Sequence, residues 1–77
     1  MKDALEKLIR ALVWSPDLVE VYEDGDGKNV RFHVRLSPDD YGRVIGREGR
    51  TIKAIRSVLF VSGQKQGRRY HLDLDED

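Results

Sequence analysis

Seventy-seven residues without a cysteine make one domain with a single compact core, and leave out disulfide staples and thiolate metal or redox sites. No apolar run nears the roughly 18 residues of a membrane span, and the N-terminus lacks a signal peptide's hydrophobic stretch, so a soluble cytoplasmic protein is expected. The formal net charge of zero hides a division: residues 43 to 69 hold eight Lys or Arg against one acid, Glu48, a net of +7 that the rest of the chain balances.

In chain order, Asp3 to Trp14 reads as an amphipathic helix. Leu5, Leu8, Ile9, Leu12 and Val13 form one apolar stripe, with Lys2, Glu6, Lys7 and Arg10 opposite. Ser15-Pro16 ends it, because the residue before proline is pushed out of helical geometry. Trp14, at the helix end, reads as a core or edge-sealing residue rather than a stacking platform. Leu18 to Glu23 is a short strand, Asp24-Gly25-Asp26-Gly27 a turn, and Asn29 to Leu36 a second, antiparallel strand. In that strand Val30, Phe32, Val34 and Leu36 point one way, and Asn29, Arg31, His33 and Arg35 the other. Asp24 and Asp26 resemble the start of a calcium loop, but the closing glutamate and other ligand positions are missing, so they read as turn residues. His33 and His71 have no third ligand in view, and neither a metal nor a cofactor is expected.

Ser37-Pro38-Asp39-Asp40 starts a short helix: Ser37 can cap, Pro38 suits the first position, and the aspartates favour the positive dipole end. The helix carries Tyr41, Val44 and Ile45 before Gly46. After Gly49 a longer helix runs to about Ser62, with Ile52, Ile55, Val58 and Leu59 toward the core and Arg50, Lys53 and Arg56 on other faces. Gly63 reads as its C-cap. Gln64 to Gly67 is a loop, Arg68 to Leu74 a last strand, and Asp75-Glu76-Asp77 a frayed acidic tail. A crossover carrying helices joins parallel strands, so the last strand lies parallel to Asn29–Leu36. The fold class is α+β, a three-stranded mixed sheet with three helices packed on one face.

The chain is organised around residues 44 to 56. Glycine is costly inside a helix and permissive in a turn, so Gly46 and Gly49 mark a break between two helices. Nothing large separates that turn from an approaching group, and cations surround it. This is where a phosphate backbone could lie against protein backbone.

The run Val44-Ile45-Gly46-Arg47-Glu48-Gly49-Arg50-Thr51-Ile52-Lys53-Ala54-Ile55 resembles the helix–GxxG–helix signature of a KH domain, of the form (V/I)IGxxGxxIxxI. The order α-β-β-α-α-β matches a single type II KH domain, and the resemblance covers Asp3 to Leu74. A free-standing KH domain of this length, with Gly-Arg-Thr-Ile-Lys-Ala-Ile-Arg from Gly49 onward, is similar to the small bacterial KhpA family of RNA-binding proteins. The resemblance implies that Gly46, Arg47, Glu48 and Gly49 form a loop clamping about four nucleotides of single-stranded RNA by their backbone. Arg43, Arg47, Arg50 and Lys53 would contact phosphates, with Arg56 a weaker candidate. Bases would lie in an apolar groove between the helix pair and the sheet edge, with Ile45 and Ile52 either lining it or belonging to the core. Glu48 is expected to face solvent or pair with an arginine. Lys65, Arg68 and Arg69 either extend the cationic track or solubilise a loop. With no aromatic residue in the loop, modest affinity, loose base preference and strong salt dependence are expected.

The resemblance further implies a non-catalytic RNA chaperone that self-associates and pairs with KhpB, a larger protein joining a KH domain to a second nucleic-acid-binding domain. Two such domains on one strand gain avidity. It links such proteins to post-transcriptional control and, in some bacteria, to cell-wall and cell-length regulation. The competing reading is a protein-interaction domain that uses the KH surface for homo- or heterodimerisation, with the glycine turn and Ile45/Ile52 against another copy. An enzyme is disfavoured. Ser37, Asp39, Asp40 and the histidines form no nucleophile–base constellation, and the longer glycine spacing of a nucleotide-binding P-loop is absent.

Overall fold

The computed structural model describes residues 1–75. Among them are three α-helices, α1 (Lys2–Leu12), α2 (Tyr41–Ile45) and α3 (Arg50–Lys65), and three strands, β1 (Glu20–Gly25), β2 (Asn29–Arg35) and β3 (Arg69–Leu74). Short 3₁₀ turns at Pro16–Leu18, Pro38–Asp40 and Arg47–Gly49 connect them. The sheet order is β1-β2-β3. β1 pairs antiparallel with β2, placing Val21 opposite Val34, and β3 pairs parallel with β2, placing Leu72 opposite Phe32. The mixed sheet follows from the chain: the tight turn at Asp26 permits only an antiparallel neighbour, and the helical crossover delivers β3 parallel.

The alternation in β2 buries Val30, Phe32 and Val34 under the helices. Phe32 and Ile9 are fully buried, and Val44, Ile52, Ile55 and Leu59 bring α2 and α3 onto the same core. Burying a side chain such as Phe32 stabilises the fold by about 1.5–3 kcal/mol. Its ring sits 5.6 Å from that of Tyr70 in a tilted arrangement. The other face of the sheet is polar, and the exposed Arg31 on β2 pairs with Asp73 on β3 at 2.6 Å.

Several local expectations are corrected. The first helix ends at Leu12 rather than Trp14, because Val13 is already extended. Leu8 is exposed: α1 packs against β1 and α2 along a stripe centred on Leu5 and Ile9, narrower than the apolar pattern. Leu18 belongs to a 3₁₀ turn, so β1 starts two residues later than expected. The hairpin turn is built by Asp26, whose carboxylate accepts the N–H groups of Lys28 and Asn29 at 2.9 and 2.8 Å. These two bonds hold the Asp26 carboxyl below its ordinary value.

At the start of α2, Ser37 makes no side-chain capping bond. Asp40, expected to act only through the helix dipole, is instead buried and accepts the N–H groups of Trp14 and Ser15 at 3.1 and 3.0 Å. It fastens the end of α1 to the start of α2. Tyr41 makes a second tie: its hydroxyl accepts the Leu36 N–H at 3.2 Å and donates to the Asp75 carbonyl. Asp75, placed by expectation in a frayed tail, also bonds Val34 O through its N–H at 2.8 Å. The remainder of that tail, Glu76 and Asp77, lies outside the described residues.

Gly63 is not the C-cap of α3. It is buried within the helix against β3, where a Cβ would stand 2.5 Å from the Arg68 carbonyl oxygen. The helix runs one turn longer and closes in a Schellman motif. Arg68 N–H bonds Gly63 O at 2.8 Å, Gly67 N–H bonds Gln64 O at 3.2 Å, and Gly67 takes φ +68°. Val58, expected in the core, is 60% exposed, because the buried face of α3 is centred on Ile52, Ile55, Leu59 and Gly63.

Candidate nucleic-acid interface

The break between α2 and α3 takes its shape from two glycines. Gly46 has φ 76° and ψ 175°, a region essentially closed to other residues. A Cβ there would also stand 2.2 Å from Thr51 Oγ1. Gly49 is left-handed at φ 73°, ψ 16° and leads directly into α3. The turn closes on itself: Gly46 N–H bonds Gly42 O at 2.9 Å, and Gly49 N–H bonds Gly46 O at 3.1 Å. Between the glycines, Glu48 is also left-handed, at φ 56°, ψ 24°. That conformation costs a residue with a Cβ roughly 1–2 kcal/mol, so the loop stores strain at its tip.

The electrostatics follow from where the chain sends each side chain. Arg47 and Glu48 are exposed at the tip, and Arg50 and Lys53 are exposed on the first turn of α3. Glu48 Oε2 meets Arg50 Nη2 at 3.4 Å, with both side chains more than 70% exposed. Such a pair is weak in water. It does explain how the lone acid of the loop is accommodated: it turns toward an arginine, as expected. The positive end of the α3 dipole also lies at this loop. Arg47, Arg50 and Lys53 therefore share one locale with a helix N-terminus.

The remaining candidates divide. Ile52 is 6% exposed and packs in the core; Ile45 is half-buried against it and keeps some surface. Arg56, the weaker phosphate candidate, is already engaged: its Nε and Nη2 donate to the Leu72 carbonyl at 3.3 and 3.0 Å, bracing α3 on β3. Arg43 lies on α2, three residues before Gly46, and its guanidinium carbon sits 4.0 Å from the ring centroid of Trp14. Trp14 itself is 73% exposed, so it neither fills the core nor seals an edge. Asp40 holds its backbone at the end of α1, beyond the apolar stripe, a long-range tie that the burial habit of tryptophan does not disclose.

One feature was not anticipated from the residue pattern. Phe60 is exposed and, with Gln64, Arg68, Arg69, Tyr70 and His71, lines a cleft beside the open edge of β3. Its place outside the apolar stripe of α3 was the available signal. Arg68 and Arg69 thus border a cleft, while Lys65 is simply exposed near the end of α3.

The family model describing the KhpA/KhpB KH domain matches residues 2–74. The chain is similar to the RNA-binding protein KhpA of Halalkalibacterium halodurans, with 46% identity over 74 residues covering 96% of this chain and 97% of that one. It is 40% identical to the Streptomyces coelicolor protein of the same name over 74 residues, covering 96% and 90%. It is 37% identical to the Aquifex aeolicus one over 76 residues, covering 99% and 96%. Matched over nearly its whole length by both the family model and these relatives, the chain belongs to the KhpA/KhpB KH-domain family.

Proposed function

We propose that this protein is a non-catalytic, cytoplasmic RNA-binding protein that holds single-stranded RNA by the backbone at its Gly46–Gly49 loop. The observation that carries this reading is the loop itself: a turn framed by Gly46 and Gly49 that opens the N-terminus of α3, with Arg47, Arg50 and Lys53 exposed around it and its one acid turned to an arginine. Small residues let phosphates approach the main chain, and the cations and the helix dipole favour their charge. The relatives named RNA-binding protein KhpA support the substrate class. Bases would lie beside the helix pair toward the β3 edge, with Ile45 as lining, Ile52 behind it and the Phe60 cleft farther along.

Three to four phosphate contacts on a single strand give a slope of log affinity against log salt of about −2 to −3. Affinity would then fall roughly 15–60-fold between 50 and 200 mM salt. The direct test replaces both loop-tip residues, Arg47→Asp with Glu48→Asp. Aspartate tolerates the left-handed conformation at position 48, so the fold should stand. The variant should lose binding to a single-stranded oligonucleotide in fluorescence anisotropy. Undiminished binding by the folded variant would refute the clamp.

Self-association is supported by a separate observation. On the outward face of α3, Ala54, Val58 and Val61 follow helical spacing, and the two valines are 60% and 51% exposed. This stripe lies away from the core face and suits a second helix, from another copy or from a larger KhpB-like partner. It replaces Ile45 and Ile52 as the apolar contact, since Ile52 is spent in the core. A dimer would present two loops to one strand and act as an RNA chaperone in post-transcriptional control, with cell-wall and cell-length regulation downstream. Sedimentation over a concentration range should show a dimer forming; a monomer at the highest concentration would refute this part.

A further inference from the structure

Trp14 is the single tryptophan of the chain, and it stands in water with 73% of its surface exposed. An indole offers a large, rigid apolar face, and the fold holds this one at the surface rather than in the core. The Trp14 and Ser15 N–H groups are pinned by the buried Asp40 carboxylate, so the backbone that carries the indole is anchored where α1 meets α2. What lies over the ring is Arg43, at 4.0 Å. Arg43 sits on α2 three residues, or roughly 4.5 Å of helix rise, before Gly46. Arg43 therefore connects the ring to the turn of α2 that leads into the loop, and neither residue lines the cleft on β3.

We propose that Trp14 is a stacking platform for one base of the strand held by the Gly46–Gly49 loop, and that Arg43 joins the platform to the loop. The inference rests on the RNA-binding reading above. An indole face accepts any base, and a guanidinium can lie over a stacked ring or turn to a neighbouring phosphate. An exposed cation–π contact is weak, so moving Arg43 costs little against what a stacked base and a charge-assisted phosphate bond return. Asp17 and Asp39 are the exposed acids nearest in sequence. They disfavour phosphate beside them, so the strand must arrive from the loop side, where Arg47, Arg50 and Lys53 stand. A protein partner fits less well, since the face of the ring is already matched with Arg43, the first cation of the basic stretch that runs through the loop. The platform would also supply the aromatic contact that the loop lacks, extending the footprint by a base without adding sequence readout.

The single tryptophan makes the test direct. Unlabelled protein is titrated with a single-stranded oligouridylate while Trp14 emission is followed, and labelled oligouridylate is followed by anisotropy in parallel. Emission should be quenched with the same midpoint as the anisotropy rise, and RNA should shield Trp14 from acrylamide. Trp14→Ala should weaken binding about 5- to 150-fold, while Trp14→Phe, which keeps a ring, should weaken it much less. Circular dichroism checks both folds, and if the alanine variant is unfolded the emission and shielding data decide alone. Anisotropy that saturates with emission, shielding and variant affinities unchanged overturns the platform and leaves the clamp standing. Flat anisotropy with the unmodified protein overturns the RNA-binding reading itself. Emission that changes with protein concentration before RNA is added makes Trp14 a protein contact and overturns the platform.

Discussion

Replacing Asp40 with asparagine tests how the two halves of the molecule are joined. The carboxylate is 1% exposed and accepts two backbone N–H groups, from Trp14 at 3.1 Å and Ser15 at 3.0 Å. Asparagine has nearly the same shape, yet only one of its two terminal atoms can accept. Its amide would face one of the N–H groups donor to donor. A hydrogen bond to a charged group contributes about 1.5–3 kcal/mol, and a buried donor left unpaired costs about 1–3 kcal/mol. The variant should therefore lose about 2–4 kcal/mol, a large share of the roughly 4–12 kcal/mol expected for a domain of this size. In a thermal melt that is a fall of about 10–25 °C. Urea denaturation followed by far-ultraviolet circular dichroism measures it without relying on the nearby indole. A loss below about 0.5 kcal/mol would mean that the end of α1 is not held through Asp40, and would refute this joint.

Three other contacts set further outcomes. Gly63→Ala should destabilise by about 1–3 kcal/mol in urea denaturation despite alanine's better helix propensity, because its Cβ would press on the Arg68 carbonyl; a stabilised variant would contradict the close packing. Asp26 has a folded-state pKa below its ordinary 3.8, so its stabilising effect is complete above that value and is lost as pH falls through the lower folded value. Asp26→Ala should accordingly be less stable at neutral pH and lose less on acidification, as read from urea midpoints across a pH series. Glu48→Lys removes only an exposed, weak pair, so stability should stay within about 0.5 kcal/mol. Its RNA affinity should rise, and the salt slope should steepen by about 0.7 if the lysine adds one phosphate contact.

What the residues disclosed, and what they hid, divides along the range of the interactions involved. The alternation of Val30, Phe32 and Val34, the glycine break and the helical crossover are local patterns, and they were enough to place β2, the loop and the parallel β3. Gly63 was misread because a glycine near a helix end looks like a cap. Only the passage of β3 beneath it shows that the missing side chain makes room for the Arg68 carbonyl. Asp40 looked like dipole decoration for the same reason: its two partners are 25 and 26 residues away. Helical spacing puts Val58 on the core face, and the burial habit of tryptophan makes Trp14 a core or edge-sealing residue. The actual packing face of α3 is narrower, and the chain turns outward after Leu12. In the loop, the cations were legible as a cluster, but the diversion of Arg56 to Leu72 O and of Arg43 to Trp14 required the tertiary fold.

The central claim is that the loop between α2 and α3 is where RNA is held. Amide chemical shifts of the isotope-labelled protein, recorded as a single-stranded oligonucleotide is added, test it residue by residue. The largest changes should fall from Ile45 to Lys53, centred on Gly46 and Gly49, and should fade as salt is raised. Changes confined to the polar sheet face around Arg31 and Asp73, or to the Val58–Val61 stripe, with the glycine loop silent, would contradict it.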